Sequence, residues 1–152
     1  MRSASLTVLT ITLCACGGGD DQKAIFPADY ASSYVQVRPC RSSPDHDLNN
    51  VRVLADPLAL EAYMMRDRPF PTGAVVLKAE YDPSDTTCTG PITMWTVMVQ
   101  LAVGSAPSML DWHWQKVDAS GTVATDNDPR CYGCHTTCGV PPDGYMGTCS
   151  VP

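Results

Sequence analysis

One five-residue segment, Cys131-Tyr132-Gly133-Cys134-His135, constrains this chain more than any other feature of the sequence. Two thiols three positions apart can reach the two vinyl groups at one edge of a haem, and the histidine that follows offers an imidazole nitrogen to the iron. The segment therefore predicts one covalent c-type haem, with Cys131 and Cys134 as the thioether cysteines and His135 as the proximal iron ligand. A zinc site, an iron–sulfur cluster and disulfides are the alternative interpretations of the same cysteines.

The N-terminal segment indicates export. A short positive start is followed by an uncharged apolar run that is too short to span a bilayer. The run ends in Leu-Cys-Ala-Cys, which resembles the lipobox of bacterial lipoproteins. This predicts a signal peptide over residues 1–15, lipidation of Cys16, and a flexible glycine-rich tether over residues 16–25. The expected location is the periplasmic side of a bacterial membrane, with the lipid as the only anchor. A secretory signal cleaved nearby is the alternative.

Composition and charge limit the classes of function. The chain has 152 residues, of which 44 % are hydrophobic, and this is enough for one compact domain, expected over residues 26–152. The net charge of −6 argues against nucleic acid as a partner, because its phosphates would repel the chain. Eight cysteines are many for a cytosolic protein of this size, but they suit an oxidising compartment.

Hydrophobic patterning predicts an α+β fold with helices first, then an antiparallel β-meander, then the C-terminal haem-binding segment. One helix is expected to begin at Phe26 and to end before Pro39, and a second to begin at the capping residue Asp56 and to end at Arg66. Strands are predicted at residues 51–54, 74–81, 92–101, 111–118 and 122–125. The run at 92–101 is apolar on both faces and is therefore expected to be central.

The polar stretch over residues 40–50 is predicted to be a loop, because short polar side chains favour turns. Asp45, His46 and Asp47 lie within it. They are either a metal-binding or catalytic cluster or, more simply, solvated loop residues.

Several features coincide: an export signal, an early Phe26-Pro27-x-x-Tyr30 helix, a strand carrying Lys78, a Trp-rich strand, and a haem motif near the C-terminus. Together they resemble the cytochrome P460 family, which includes the cytochromes c prime-beta. A typical small cytochrome c is instead all-helical, with its motif near the N-terminus. The resemblance covers about residues 26–135. It implies a dimeric antiparallel sheet with flanking helices and a largely five-coordinate haem c that oxidises hydroxylamine or binds nitric oxide or carbon monoxide.

In the P460 members of that family a lysine of the sheet is cross-linked to the haem, and Lys78 is the matching candidate here. Strand parity places Val76, Lys78 and Glu80 on one face of their strand. The resemblance thus implies a pocket position for Lys78 and a cross-link that marks hydroxylamine-oxidising members. An exposed strand lysine without this role is the alternative.

Four further cysteines remain if Cys16 is lipidated and the motif cysteines hold haem. They are Cys40, Cys88, Cys138 and Cys149. An even remainder in an oxidising compartment predicts two disulfides, and three pairings are possible. Cys40–Cys88 with Cys138–Cys149 is favoured, because the second bridge would close a short Gly/Pro-rich loop beside the haem.

The ligand on the other side of the iron decides between the functions. The side chains available are His46, His113, Met94, Met98, Met109 and Met146. If none of them binds, the site is open, and the chain is a hydroxylamine-oxidising enzyme or a binder of nitric oxide or other small gases. If one binds, the chain is a six-coordinate, membrane-tethered cytochrome that exchanges electrons with a redox partner protein. A zinc-binding structural lipoprotein is the third hypothesis, and a homodimer is implied by the resemblance alone.

Overall fold

A computed structural model describes residues 22–138, 144–150 and 152 of the chain. The expected signal peptide and Cys16 lie outside the described residues. The elements are α1 (Tyr30–Ser33), β1 (Val35–Ser42), β2 (Asn50–Ala55), α2 (Leu60–Met65), β3 (Val75–Tyr81), β4 (Ile92–Gln100), β5 (Trp112–Asp118), β6 (Val123–Asp126) and α3 (Pro129–His135). None of the helices in this part of the chain is long and apolar enough to cross a bilayer.

The strands form one antiparallel sheet in the order β1-β2-β3-β4-β5-β6. Each strand pairs with its neighbour in the chain, and this holds even for β2 and β3, which are joined by the segment that contains α2. The predicted α+β fold with an antiparallel meander is confirmed. β4 lies in the interior of the sheet, as its two apolar faces predicted.

The first predicted helix is wrong over most of its length. α1 is a single turn, and the chain is extended from Val35 onward, where β1 pairs with β2. Val35 and Val37 are β-branched and favour a strand, and the pairing supplies backbone hydrogen bonds that a short isolated helix lacks. β1 also continues through Ser42. The predicted loop over residues 40–50 is therefore confined to residues 43–49.

The second helix begins later than predicted. Asp56 does not cap it directly, since α2 starts at Leu60 with Ala59 as its N-cap residue. Asp56 instead accepts hydrogen bonds from the backbone N–H of Ala59 at 2.7 Å and of Val75 at 3.0 Å. The carboxylate thus ties the turn before α2 to the start of β3. The end of the helix at Arg66, which is left-handed with φ 55°, agrees with the prediction.

An apolar cluster lies on each face of the sheet. On one face Trp112 is fully buried and packs against Phe70 and Trp114, with ring centroids 5.1 and 6.4 Å away. Residues of α2 and α3 pack onto this cluster. On the other face Leu77 and Val97 pack with aromatic side chains from α1 and β4. The two tryptophans of β5 share one face, as the alternation of that strand predicted.

The last residues of the predicted tether contact the sheet. The side-chain oxygen of Gln115 accepts a hydrogen bond from the Ile25 N–H at 3.0 Å, and its amide nitrogen donates to the Lys23 carbonyl at 3.3 Å. Lys23 and Ile25 are therefore held against β5, although the tether was expected to extend over residues 16–25.

Candidate haem site

The helix α3 presents the three motif residues together. Cys131, Cys134 and His135 stand at positions i, i+3 and i+4, which lie on one face of a helix. The helix begins where its sequence favours a start: Asp128 is the N-cap residue and accepts from the Arg130 N–H at 2.9 Å, and a proline follows the cap. Local sequence thus orients both thiols and the imidazole toward the same side.

His135 is held in the form that a metal ligand requires. Its Nδ1 donates to the Gly147 carbonyl at 2.5 Å, which leaves Nε2 with a free lone pair. Burial lowers the pKa of His135 to about 4, so the ring is neutral at neutral pH. The Trp114 ring lies 4.7 Å from the imidazole, centroid to centroid, and restricts its rotation.

The Gly147 carbonyl is itself fixed by the fold. Gly147 has φ +83°, and a Cβ at this position would lie 2.9 Å from Leu110 Cδ1. The neighbouring Met146 carbonyl accepts from the indole N–H of Trp112 at 2.9 Å. Only glycine fits here without a shift, and the core tryptophan anchors the segment that orients His135.

Lys78 faces the same cavity as the haem motif. The cavity measures about 430 Å³ and lies between α3, one face of β3, β4 and β5, and the 43–49 loop. Lys78, Cys131, Cys134 and His135 all line it. Loss of water around the ammonium lowers the pKa of Lys78 to about 8, against the opposing negative charge of Glu80.

A buried hydrogen-bond network stands beside Lys78, and the sequence did not indicate it. The Glu80 carboxylate accepts from His46 Nδ1, Asn49 Nδ2 and Thr96 Oγ1, each at 3.0 Å. His46 Nε2 lies 2.5 Å from Lys78 Nζ. Burial alone would raise the pKa of Glu80, but these hydrogen bonds lower it below its usual value. Strand parity placed Glu80 beside Lys78, whereas no local signal connected His46 to them.

The family model of cytochrome P460 matches residues 27–139. The chain belongs to the cytochrome P460 family. The family binds haem, and membership makes this chain a c-type cytochrome. The resemblance drawn from the sequence is therefore confirmed. No curated protein matches the chain.

The donor set fits a covalent haem in this P460 family member. Cys131 and Cys134 are free thiols, while the structure joins Cys40 to Cys88 and Cys138 to Cys149. Cys131 and Cys134 would hold the porphyrin edge, and His135 Nε2 would hold the iron. The cavity is also lined by positively charged side chains that suit the haem carboxylates: Arg41, Lys116 and Arg130.

The residues that could bind zinc are a poorer set of ligands than those that could bind haem. Among the described residues, His135, Cys138 and Cys149 place ligand atoms within 4.8 Å of one another. Cys138 and Cys149 are joined by a disulfide, however, and a disulfide offers no thiolate to zinc. The motif cysteines are not part of that group.

The structure separates the candidates for a sixth iron ligand. His46 and Met98 line the cavity together with Tyr63. His113 points to the other face of the sheet, where its Nε2 lies 2.7 Å from Asp126 Oδ1. The remaining methionine candidates and Phe70 are absent from the described cavity wall.

Proposed function

We propose that this cytochrome is an exported mono-haem protein whose iron keeps one coordination position open for hydroxylamine, nitric oxide or another small gas. The observation that carries the proposal is the position of Lys78. β3 brings it to the same cavity as Cys131, Cys134 and His135, where a lysine of the P460 type is expected. The burial of the Lys78 ammonium argues against the alternative of an exposed strand lysine.

The proposal of an open site is supported by the contacts that the candidate sixth ligands already make. Both ring nitrogens of His46 have partners, Glu80 on Nδ1 and Lys78 on Nε2. His113 lies on the far face of the sheet. Met98 lines the cavity, but it is 5 % exposed and packed in the Trp112 cluster. A sixth ligand from these residues would require a buried contact to be broken.

Each residue of the site has a separate role in this proposal. Cys131 and Cys134 hold the cofactor covalently, and His135, oriented by Gly147, binds the iron. A bound haem would supply a binding position for a small nitrogen ligand and would accept electrons from hydroxylamine. Lys78 is the candidate cross-link, and a cross-link would favour hydroxylamine oxidation over gas binding.

The setting of the site is part of the same proposal. The lipobox-like segment supports lipidation at Cys16 and a periplasmic location, and the two disulfides suit an oxidising compartment. The electrons would pass to a redox partner protein. The acidic net charge of −6 supports the exclusion of nucleic acid, and a homodimer is the expected assembly.

The test is the absorption spectrum of the protein made with haem maturation machinery, with reductant and with carbon monoxide. An open iron predicts a Soret band that shifts rapidly when carbon monoxide binds the ferrous protein. A low-spin ferrous spectrum that carbon monoxide does not change would instead establish the six-coordinate electron carrier. Mass spectrometry of the haem peptides then separates the two open-site functions. A Lys78 peptide attached to haem supports hydroxylamine oxidation, and a free Lys78 supports gas binding.

A further inference from the structure

Glu80, His46 and Lys78 form a line of hydrogen bonds on the wall of the cavity. An ionised carboxylate only accepts hydrogen bonds, so His46 Nδ1 carries the proton that bonds to Glu80 at 3.0 Å. Nε2 of the neutral ring is then an acceptor, and Lys78 Nζ donates to it at 2.5 Å. A carboxylate, an imidazole and a nucleophile in this order are the arrangement by which proteins activate a nucleophile.

We propose that His46 and Glu80 act as a base couple that takes the proton from Lys78. The proton passes from Nζ to Nε2, its electron pair stays on Nζ, and the imidazolium that forms is stabilised by the Glu80 carboxylate. No electron is transferred in this step. An ammonium has no lone pair with which to bond to haem, whereas the neutral amine has one. The inference rests on the proposed role of Lys78 and names the residues that prepare it.

The 43–49 loop is built to hold His46 in place. Its ends are joined by the Ser43 N–H, which donates to the Asn49 carbonyl at 2.9 Å, and two further backbone hydrogen bonds link His46 to Ser43 and Asn49. The Asn49 side chain bonds to the Glu80 carboxylate. Asp47 and Leu48 adopt left-handed φ values of 55° and 62°. Such backbone strain persists only where the surroundings enforce it, and here it accompanies a positioned imidazole.

The charges around Lys78 are consistent with the base couple of His46 and Glu80, but a charge effect alone is a different explanation. Loss of water is the largest cause that lowers the pKa of Lys78, and Glu80 and Asp45 oppose it. Further titratable or charged groups face the cavity from the loop, β1, β5 and α3: Arg41, His46, Asp47, Lys116, Arg130, Cys131, Cys134 and His135. Glu80 as a mere neighbouring charge would only raise the pKa of Lys78. A base couple would in addition raise the reactivity of the amine itself.

The experiment compares His46→Gln and Glu80→Gln with the parent protein, all produced with haem maturation machinery. His113→Gln is the matched control, because His113 also bonds to a carboxylate but lies on the opposite face of the sheet. The first measurement is the fraction of haem peptides that carry Lys78. The second is the rate of Lys78 acetylation by acetic anhydride as a function of pH, in every chain whose Lys78 is free. Exposed Lys23 in the same chain is the internal reference.

If the parent protein is cross-linked, both cavity variants are expected to accumulate chains with attached haem and free Lys78, and the control is not. Cross-linking of all four proteins to the same extent would overturn the proposal. If Lys78 is free in the parent, the proposed cross-link is wrong, but the base couple is still tested. The plateau rate of acetylation at high pH should then fall about 100-fold or more in both cavity variants, because His46 no longer takes the proton that the neutral amine loses as its nitrogen bonds to carbon. An unchanged plateau, with only the midpoint of the pH profile lowered in Glu80→Gln, would show a simple charge effect and overturn it.

Discussion

The exchange Glu80→Gln tests how much the buried network beside Lys78 contributes to stability. The Glu80 side chain is 4 % exposed and accepts three hydrogen bonds from side chains of the loop and of β4. Glutamine keeps the shape and one acceptor, but it loses the charge and turns an N–H toward a donor. Hydrogen bonds to a charged group contribute about 1.5–3 kcal/mol each, and not all three are lost. We expect the free energy of unfolding to fall by about 2–3 kcal/mol at pH 7.

The assay is urea unfolding followed by far-ultraviolet circular dichroism, with Asp126→Asn as control. Asp126 also accepts from a histidine and a glutamine, but its side chain is 21 % exposed, so its loss should cost less than about 1 kcal/mol. Because the pKa of Glu80 is lowered, its stabilisation is present above 4.5, the ordinary value, and is lost as the pH falls through the lowered value. The difference between parent and variant should therefore shrink in acid. Equal losses in the two variants at pH 7 would refute the reasoning.

Three further changes have defined outcomes. Replacing Cys40 and Cys88 by alanine removes a disulfide between residues 48 positions apart. The free energy of unfolding in urea titrations should fall by about 4 kcal/mol, and a loss below about 1 kcal/mol would contradict the disulfide. Gly147→Ala places a side chain on left-handed backbone and should lower the free energy of unfolding by about 1–3 kcal/mol. It should also shift the ferric absorption spectrum, because the Gly147 carbonyl orients His135. An unchanged spectrum would argue against this orienting role of Gly147. In chains with free Lys78, the lowered pKa predicts that the free energy of unfolding rises between about pH 8 and pH 10.5, because the unfolded chain binds more protons there. The variant Lys78→Met should lose this rise. A rise that persists in the variant must come from another group.

Local patterns of the sequence predicted the part of the site that depends on strand alternation, whereas the helix that carries the haem motif was not predicted. Lys78 reached the cavity because alternate residues of a strand share a face, and the three motif residues share a face because of helical spacing. The first helix failed because Tyr30, Tyr34 and Val37 recur at helical spacing, whereas the pairing with β2 makes the chain a strand from Val35 onward. That pairing is a tertiary effect which no short window of sequence contains.

His46 was a candidate site residue, but its contact with Glu80 could not be predicted from the sequence, for a related reason. Its partner Glu80 lies 34 residues further along the chain, and the contact depends on how the 43–49 loop folds back over the sheet. Asp45, His46 and Asp47 read equally well as turn formers, since the same polar side chains serve loops and sites. The orientation of His135 had no signal either, because the Gly147 carbonyl approaches it only through the packing of the C-terminal segment on Trp112.

The covalent haem at Cys131 and Cys134 is the central claim, and the mass of the denatured protein tests it most directly. Protein produced with haem maturation machinery should retain, after acid and organic extraction, the mass of one haem in addition to the polypeptide. The variant with both cysteines replaced by serine should lose this mass together with the Soret band of the extracted protein. A parent protein that shows only the polypeptide mass after extraction, with zinc and no iron in the native sample, would contradict the claim.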